Sequence, residues 1–260
     1  MALKLSSKLQ SAMMKSGGLA QLMSNCVLKY YTGSQPATAN LAPTGTLLCT
    51  FSSASGALTR EVKAAGSVTF SGTVAGATCT GITVNSIQTM LSTFTDSTGV
   101  LADFATGVAK LINDNPKNWQ FEATASAGKV TITAKPGVGV QTWAVVSAVT
   151  TITKADVNFG TEVAGTAPVN GLNWGTPVAG VLPKLETQTW SGVAAAGGIA
   201  GYYRIEAAVS DAGGIDSTES IYRIDGAIGT TGAELNMGNT TITSGLTQTI
   251  TSFALTLPTA

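Results

Sequence analysis

Histidine does not occur in this 260-residue chain. Its absence removes the commonest general base, the commonest zinc ligand and the usual partner of a Ser or Cys nucleophile. Charge is scarce as well. Charged residues make up 11% of the chain, against about 25% in ordinary globular domains. The 14 Lys+Arg balance the 14 Asp+Glu, so the formal net charge is zero. A nucleic-acid surface needs clustered positive charge to displace counterions from phosphates. Here Lys and Arg are scattered singly with no aromatic series beside them, so nucleic acid is not an expected partner. Cysteine is limited to Cys26, Cys49 and Cys79, an odd number without CxxC spacing. They read as free, small apolar residues made in a reducing compartment, with a Cys26–Cys49 bridge as the alternative. No stretch reaches the about 18 uninterrupted apolar residues of a membrane helix. "PVAGVLP" and "SGVAAAGGIAG" are apolar but broken by Gly and Pro, and "MALKLSSKLQ" lacks the apolar run of a signal peptide.

What the chain has in quantity is Thr, Ala, Val and Gly in alternating runs. Residues 4 to 24 are the exception and read as helix, with Leu5, Leu9, Met13, Leu19, Leu22 and Met23 at helical spacings. Gly17 and Gly18 are expected to split that helix in two. "VLKYYTG" (27–33) and "TLLCTFS" (46–52) read as strands joined by a loop marked by Pro36 and Pro43. From about Gly66 the pattern changes. "SVTFSGTVAG" and "CTGITVNSIQTM" alternate as half-buried strands do. In "DSTGVLADFATGVAKLINDNP", Leu101, Phe104, Val108, Leu111 and Ile112 fall on one helical face, and Pro116 ends the helix. Two alternating runs then flank Ala127-Gly128, a hairpin signal. "TWAVVSAVTTITKADVNFG" reads as one more strand, and "TAPVNGLNWGTPVAGVLPK" as an irregular crossing. After it, short strands recur at roughly ten-residue spacing to the end, as in a sandwich or barrel. The expected fold is mainly β: a β-sandwich or jelly-roll-like host with short N-terminal helices and an inserted small α+β domain. The expected boundaries are 1–65 for the helices and first strands, 66–140 for the insert and 141–260 for the rest of the host.

No motif announces a reaction. "GGIAG" (197–201) lacks the order of a phosphate loop and reads as a turn. "SDAGGIDSTES" groups Asp211, Asp216 and Glu219, but not in the series of a calcium loop. A glycosidase needs two carboxyls at a defined separation in an aromatic cleft. Glu206 with Asp211, or Asp216 with Asp225, could supply the acids. Trp119, Trp143, Trp174 and Trp190 could line a sugar groove, but single tryptophans in separate segments read first as core. An enzyme is not expected, and no catalytic, cofactor or metal residue is assigned.

The opening "KLQSAMMKSGGLAQLMSNCVLKYYTGSQPATANLAPTGTLLCTF" resembles the start of small structural proteins of tailed bacteriophages. The ending "YYRIEAAVSDAGG…YRIDGAIGTTGAELNMGNTTITSGLTQTITSFALTLP" is similar to the carboxyl ends of the same class. The resemblance covers about residues 8–52 and 188–258, and the middle resembles small modules inserted in phage tail and head proteins. This chain has Asn25-Cys26 where the pattern usually shows Asn-Gly. The resemblance implies a non-enzymatic virion component, in the neck or collar or attached to the tail. Capsid decoration is the alternative, and a receptor- or glycan-binding module on the particle is another. It implies synthesis in the host cytoplasm, residence in the virion, and partners that are copies of itself and capsid, portal, connector or tail proteins. Low charge and a helical apolar stripe with no evident sheet to cover make Leu5, Leu9, Met13, Leu19, Leu22 and Met23 the expected assembly contacts. Deleting residues 1–24 should then leave the β domains folded.

Overall fold

The computed structural model describes residues 3–15, 18–118, 120–136, 138, 140–217 and 221–256. The chain is mainly β and divides into two compact units, Met1–Arg60 with Pro168–Ala260, and Glu61–Ala167.

The elements run in chain order as follows. The first unit opens with β1 (Lys4–Leu5), α1 (Ser7–Lys15), α2 (Leu19–Leu22), β2 (Val27–Thr32) and β3 (Leu47–Ser53). The second unit contains β4 (Ala65–Ser71), β5 (Thr78–Val84), β6 (Ile87–Gln88), β7 (Phe94–Thr95) and α3 (Leu101–Asp114). It continues with β8 (Phe121–Ser126), β9 (Lys129–Ala134), β10 (Val145–Thr150) and β11 (Thr153–Val157). The chain then returns to the first unit with β12 (Val181–Pro183), β13 (Trp190–Val193), β14 (Gly198–Glu206) and β15 (Arg223–Gly229). It ends with β16 (Leu235–Asn236), β17 (Thr241–Ile242), β18 (Thr247–Ile250) and β19 (Ala254–Thr256).

In the first unit one sheet dominates, in the order β1-β15-β14-β2-β3-β13-β18, with β16 beside β15 and β17 beside β14. All its pairings are antiparallel except β15 with β16. Alternation sends Leu28, Tyr30, Tyr203, Ile205, Ile224 and Ile228 to one face. There they pack with Leu9, Leu22 and Met23 from the N-terminal helices and with Trp174, Trp190 and Phe253. The helices therefore do have a sheet to cover. Leu5 is not helical: it lies in β1, opposite Ile224. α1 starts only at Ser7, after the Ser6 hydroxyl has donated to Ile221 O and accepted from Arg223 N. The split expected at the glycine pair falls at Gly18, whose extended backbone precedes α2; Gly17 lies outside the described residues. The last apolar run, residues 247–256, forms two strands. It breaks between β18 and β19, which resets the alternation, so Ile250 is buried along with Phe253 and Leu255; Leu257 lies outside the described residues.

The second unit holds two four-stranded sheets, β10-β5-β6 with β7 on β5, and β11-β4-β9-β8. Its core includes Phe104, Val108 and Ile112 from the apolar face of α3, with Phe70, Ile82, Phe121, Val130 and Ile132 from the strands. Ala127 and Gly128, at φ 46° and 87°, turn β8 into β9, as the left-handed positions of a two-residue hairpin require. The expected range 66–140 is too short at its far end. Residues 141–157 form two strands rather than one: β10 pairs with β5 and β11 with β4. The bend at Thr151, φ 65°, separates them.

Side chains finish two sheet edges here. Asn113 of α3 donates to Ala123 O (2.8 Å) and accepts from Ala123 N (2.9 Å), standing in for a strand beside β8. Asn158 and Asp156 accept from Val145 N and Ser147 N of β10. Capped edges cannot template further pairing. With its own core and a capped edge on each sheet, a fragment of residues 61–167 should fold alone, giving dispersed amide resonances and a cooperative urea transition. A collapsed, random-coil spectrum would show that its stability is borrowed.

Candidate functional site

The nine-stranded sheet has a second face, and most of its charge lies there. β2 contributes Lys29, β14 contributes Arg204 and Glu206, and β15 contributes Arg223 and Asp225. Register places Arg204 opposite both Lys29 and Asp225, and Glu206 opposite Arg223. Arg204 grips Asp225 through two hydrogen bonds of 2.7 Å, with both side chains fully buried. Lys29 and Arg60 each take one oxygen of Glu206. Arg223 makes a second two-point contact, with Asp211 at 2.6 Å, and its remaining donors reach the carbonyls of Gly214, Ala39, Asn40 and Leu41. Tyr31 and Tyr202 stack at 5.1 Å beside the charges, and the Tyr202 hydroxyl donates to Thr44 O. The stretch 33–46 is thereby tied down over this face.

Burial pushes the Asp225 carboxyl up, against the pull of Arg204. Burial also works against the Arg204 cation, but the Asp225 hydrogen bonds outweigh it and hold the guanidinium charged. Burial acts upward on Asp211 too; there the hydrogen bonds from Arg223 and Gly213 N win and hold the carboxyl below its usual range. The acids considered as catalytic pairs thus have cations of their own: Glu206 is held by Lys29 and Arg60, Asp211 by Arg223, and Asp225 by Arg204. Asp216 accepts from Ile221 N, and Glu219 lies outside the described residues. No three His, Cys, Asp or Glu among the described residues are grouped to hold a metal ion. The sequence shows these charges but not the pairing register that brings them together. A usable signal was their spacing, two apart within "YYRIE" and "YRIDG", where the flanking residues are aromatic and β-branched.

Trp174 and Trp190 meet edge to face at 5.2 Å in the first core, with Phe253 beside them. Trp143 packs on Phe121 and Phe159 in the second, and Trp119 lies outside the described residues. Trp174 and Trp190 are buried in the first core, and Trp143 is half-buried against the second. Cys26, Cys49 and Cys79 are free and buried. Burial pushes the Cys26 and Cys49 thiols up to about 12 and Cys79 up to about 11. The native protein should therefore resist a thiol reagent at pH 8, and the denatured, unreduced protein should titrate all three. Rapid modification of the native protein would contradict this burial.

Four of the six residues of the expected assembly stripe are already covered by the chain itself. Leu9, Leu19, Leu22 and Met23 are buried in the first unit's own core, and Leu5 and Met13 are half-buried against it. A side chain already removed from water has nothing further to gain at an interface.

A different surface is open. Residues 30–59, 187–203 and 235–256 contain no charged residue. They meet at one end of the large sheet, where β3, β14 and β18 begin and β2 and β13 end. Val193, Ile199 and Leu246 are 56%, 65% and 57% exposed there. Ala194 bonds to the backbone of Gly245 and Leu246, which holds the turn before β18 against the end of β13. No protein-family model, curated protein or solved structure matches the chain.

Proposed function

We propose that this chain is a non-enzymatic structural subunit of a tailed-bacteriophage virion, placed in the neck or collar or attached to the tail, and joined to copies of itself or to other virion proteins. The observation that carries the reading is the uncharged end of the large sheet. Its exposed Val193, Ile199 and Leu246 sit among Thr, Ser, Gly and Ala with no charge nearby in sequence. Exposed apolar surface rimmed by uncharged polar residues is the composition of a contact surface. The resemblance over residues 8–52 and 188–258 takes in the three uncharged segments almost entirely. The acids Glu206, Asp211 and Asp225 are held by cations of the same unit, and the described tryptophans pack in the two cores, which favours a structural reading over a glycan-binding module.

Antibodies against the chain should label purified phage particles at one fixed site under the electron microscope, and the purified protein should associate with rising concentration in sedimentation experiments. Unlabelled particles, together with a strict monomer at all concentrations, would end this reading. Val193→Asp with Ile199→Asp should abolish association while leaving the circular dichroism unchanged, since both side chains are exposed.

A further inference from the structure

Two depressions in the first unit, of about 630 Å³ and 220 Å³, share Leu235, Asn236, Thr251 and Ser252 and form one groove. One wall is residues 249–254, running from β18 towards β19; the other is residues 234–239, comprising β16 and the turn after it. Its lining is mixed: the core residues Tyr30, Leu235, Ile250 and Phe253 contribute beside the polar residues of the two walls.

Three features converge on this groove. First, β18 pairs with β13 on one side and, among the described residues, with no strand on the other. An unpaired strand edge presents a row of N–H and C=O groups that can accept another strand. Second, among the described residues no side chain caps this edge as Asn113, Asp156 and Asn158 cap edge backbone in the second unit. It also lacks the charged residues or proline that would discourage pairing. Third, the wide end of the groove is lined by Glu186 and Glu234. Neither carboxylate has an ion-pair partner among the described residues, although Glu234 accepts from Ala227 N. The one cation there, Lys184, is buried, and its ammonium donates to the carbonyls of Leu185 and Gln188. The wide end therefore carries an excess of negative charge beside Leu235 and Phe253.

We infer that this groove receives an extended polypeptide segment of a partner chain, added as a strand along β18. Its apolar side chains would face Leu235 and Phe253, and a Lys or Arg would lie at the end bounded by Glu186 and Glu234. Backbone pairing supplies affinity in such a mode, and the side chains on alternate positions supply selectivity. Opposite charge at one end fixes the direction and register of the segment. The inference stands whether or not the chain is a virion subunit, since it rests on the groove and not on the uncharged end of the sheet.

The test uses the full chain and two blocked peptides of alternating valine and threonine, one ending in two lysines and the other in two glutamates. The lysine peptide should bind with Kd below about 1 mM, and the glutamate peptide about tenfold more weakly or worse. At saturation the lysine peptide should slow hydrogen exchange of the amides of residues 247–250 by about tenfold. Glu186→Gln with Glu234→Gln keeps the acceptor for Ala227 N and should bring the two peptides to within about twofold of each other. Glu186→Gln alone, at an exposed position, should remove part of the preference. Failure of the lysine peptide to bind, binding without protection of β18, or an undiminished preference in the double variant would each overturn the inference. A loss of particle labelling would bear only on the virion reading.

Discussion

A chain lacking residues 1–24 should fail to fold its first unit. Leu9 and Met23 are fully buried, and Leu22 is 2% exposed. Removing one such side chain to Ala costs about 2–5 kcal/mol. The deletion removes all three together with Leu19, against a total domain stability of about 5–15 kcal/mol. It also removes Met23 O, the acceptor for Trp174 Nε1 at 2.9 Å, and strips β1 from the sheet edge. Unfolding should be selective. The second unit's core draws on none of these residues, so the truncated chain should keep the dispersed amide resonances of residues 61–167 and lose those of β2, β14 and β15. Retention of a folded large sheet after the deletion would mean that the helices are appended to the core and do not complete it. This outcome replaces the sequence-based expectation that residues 1–24 form a detachable docking element.

Arg204→Ala should cost about 3–5 kcal/mol, because it leaves Asp225 as a buried carboxylate without its cation. Asp225 is fully buried, and burial already pushes its carboxyl up. Arg204→Lys should recover only part of the loss, since an ammonium cannot reproduce the two parallel hydrogen bonds. The informative comparison is Arg204→Met with Asp225→Leu, which removes both charges and keeps the volume. That pair should restore stability to within about 1 kcal/mol of the parent or exceed it. Urea midpoints at constant slope measure all three. If Arg204→Ala falls within about 0.5 kcal/mol of the parent, the surface-like cost would show that Asp225 finds water or another donor.

The local pattern was the most readable part of the sequence. "VLKYYTG", "TLLCTFS", the helix around Phe104 and the turn at Ala127-Gly128 each follow from nearby residues alone, and the structure places an element at each. Partner-dependent features were not readable. The stripe of Leu9, Leu19, Leu22 and Met23 looks the same whether it faces a neighbouring molecule or the chain's own sheet, because periodicity gives the face and not what covers it. The end of the insert was missed for a related reason: β10 and β11 belong to it through pairing with β5 and β4, whose residues lie 61 to 90 positions earlier in sequence, from Val145↔Val84 to Val157↔Ser67. The charged layer was hidden most completely. Arg204 and Asp225 are 21 residues apart in the chain, and only the β14–β15 register makes them a pair. The groove beside β18 required knowing that β18 ends the sheet, which is a statement about topology that no local window contains.

The enclosure of Arg204, Arg223, Glu206, Asp211 and Asp225 has a kinetic consequence. Charges paired inside a sheet contribute little field outside it, so the first unit meets other molecules with a surface poorer in charge than its composition suggests. Long-range steering, which can raise association rates to about 10⁸ M⁻¹s⁻¹ or more, needs a field that extends beyond the Debye length of about 10 Å. At the uncharged end of the sheet, encounter depends on diffusion and orientation alone, at about 10⁵–10⁶ M⁻¹s⁻¹. An association at that surface, as proposed above, would therefore be slow and nearly indifferent to ionic strength, so local concentration would govern it more than salt does.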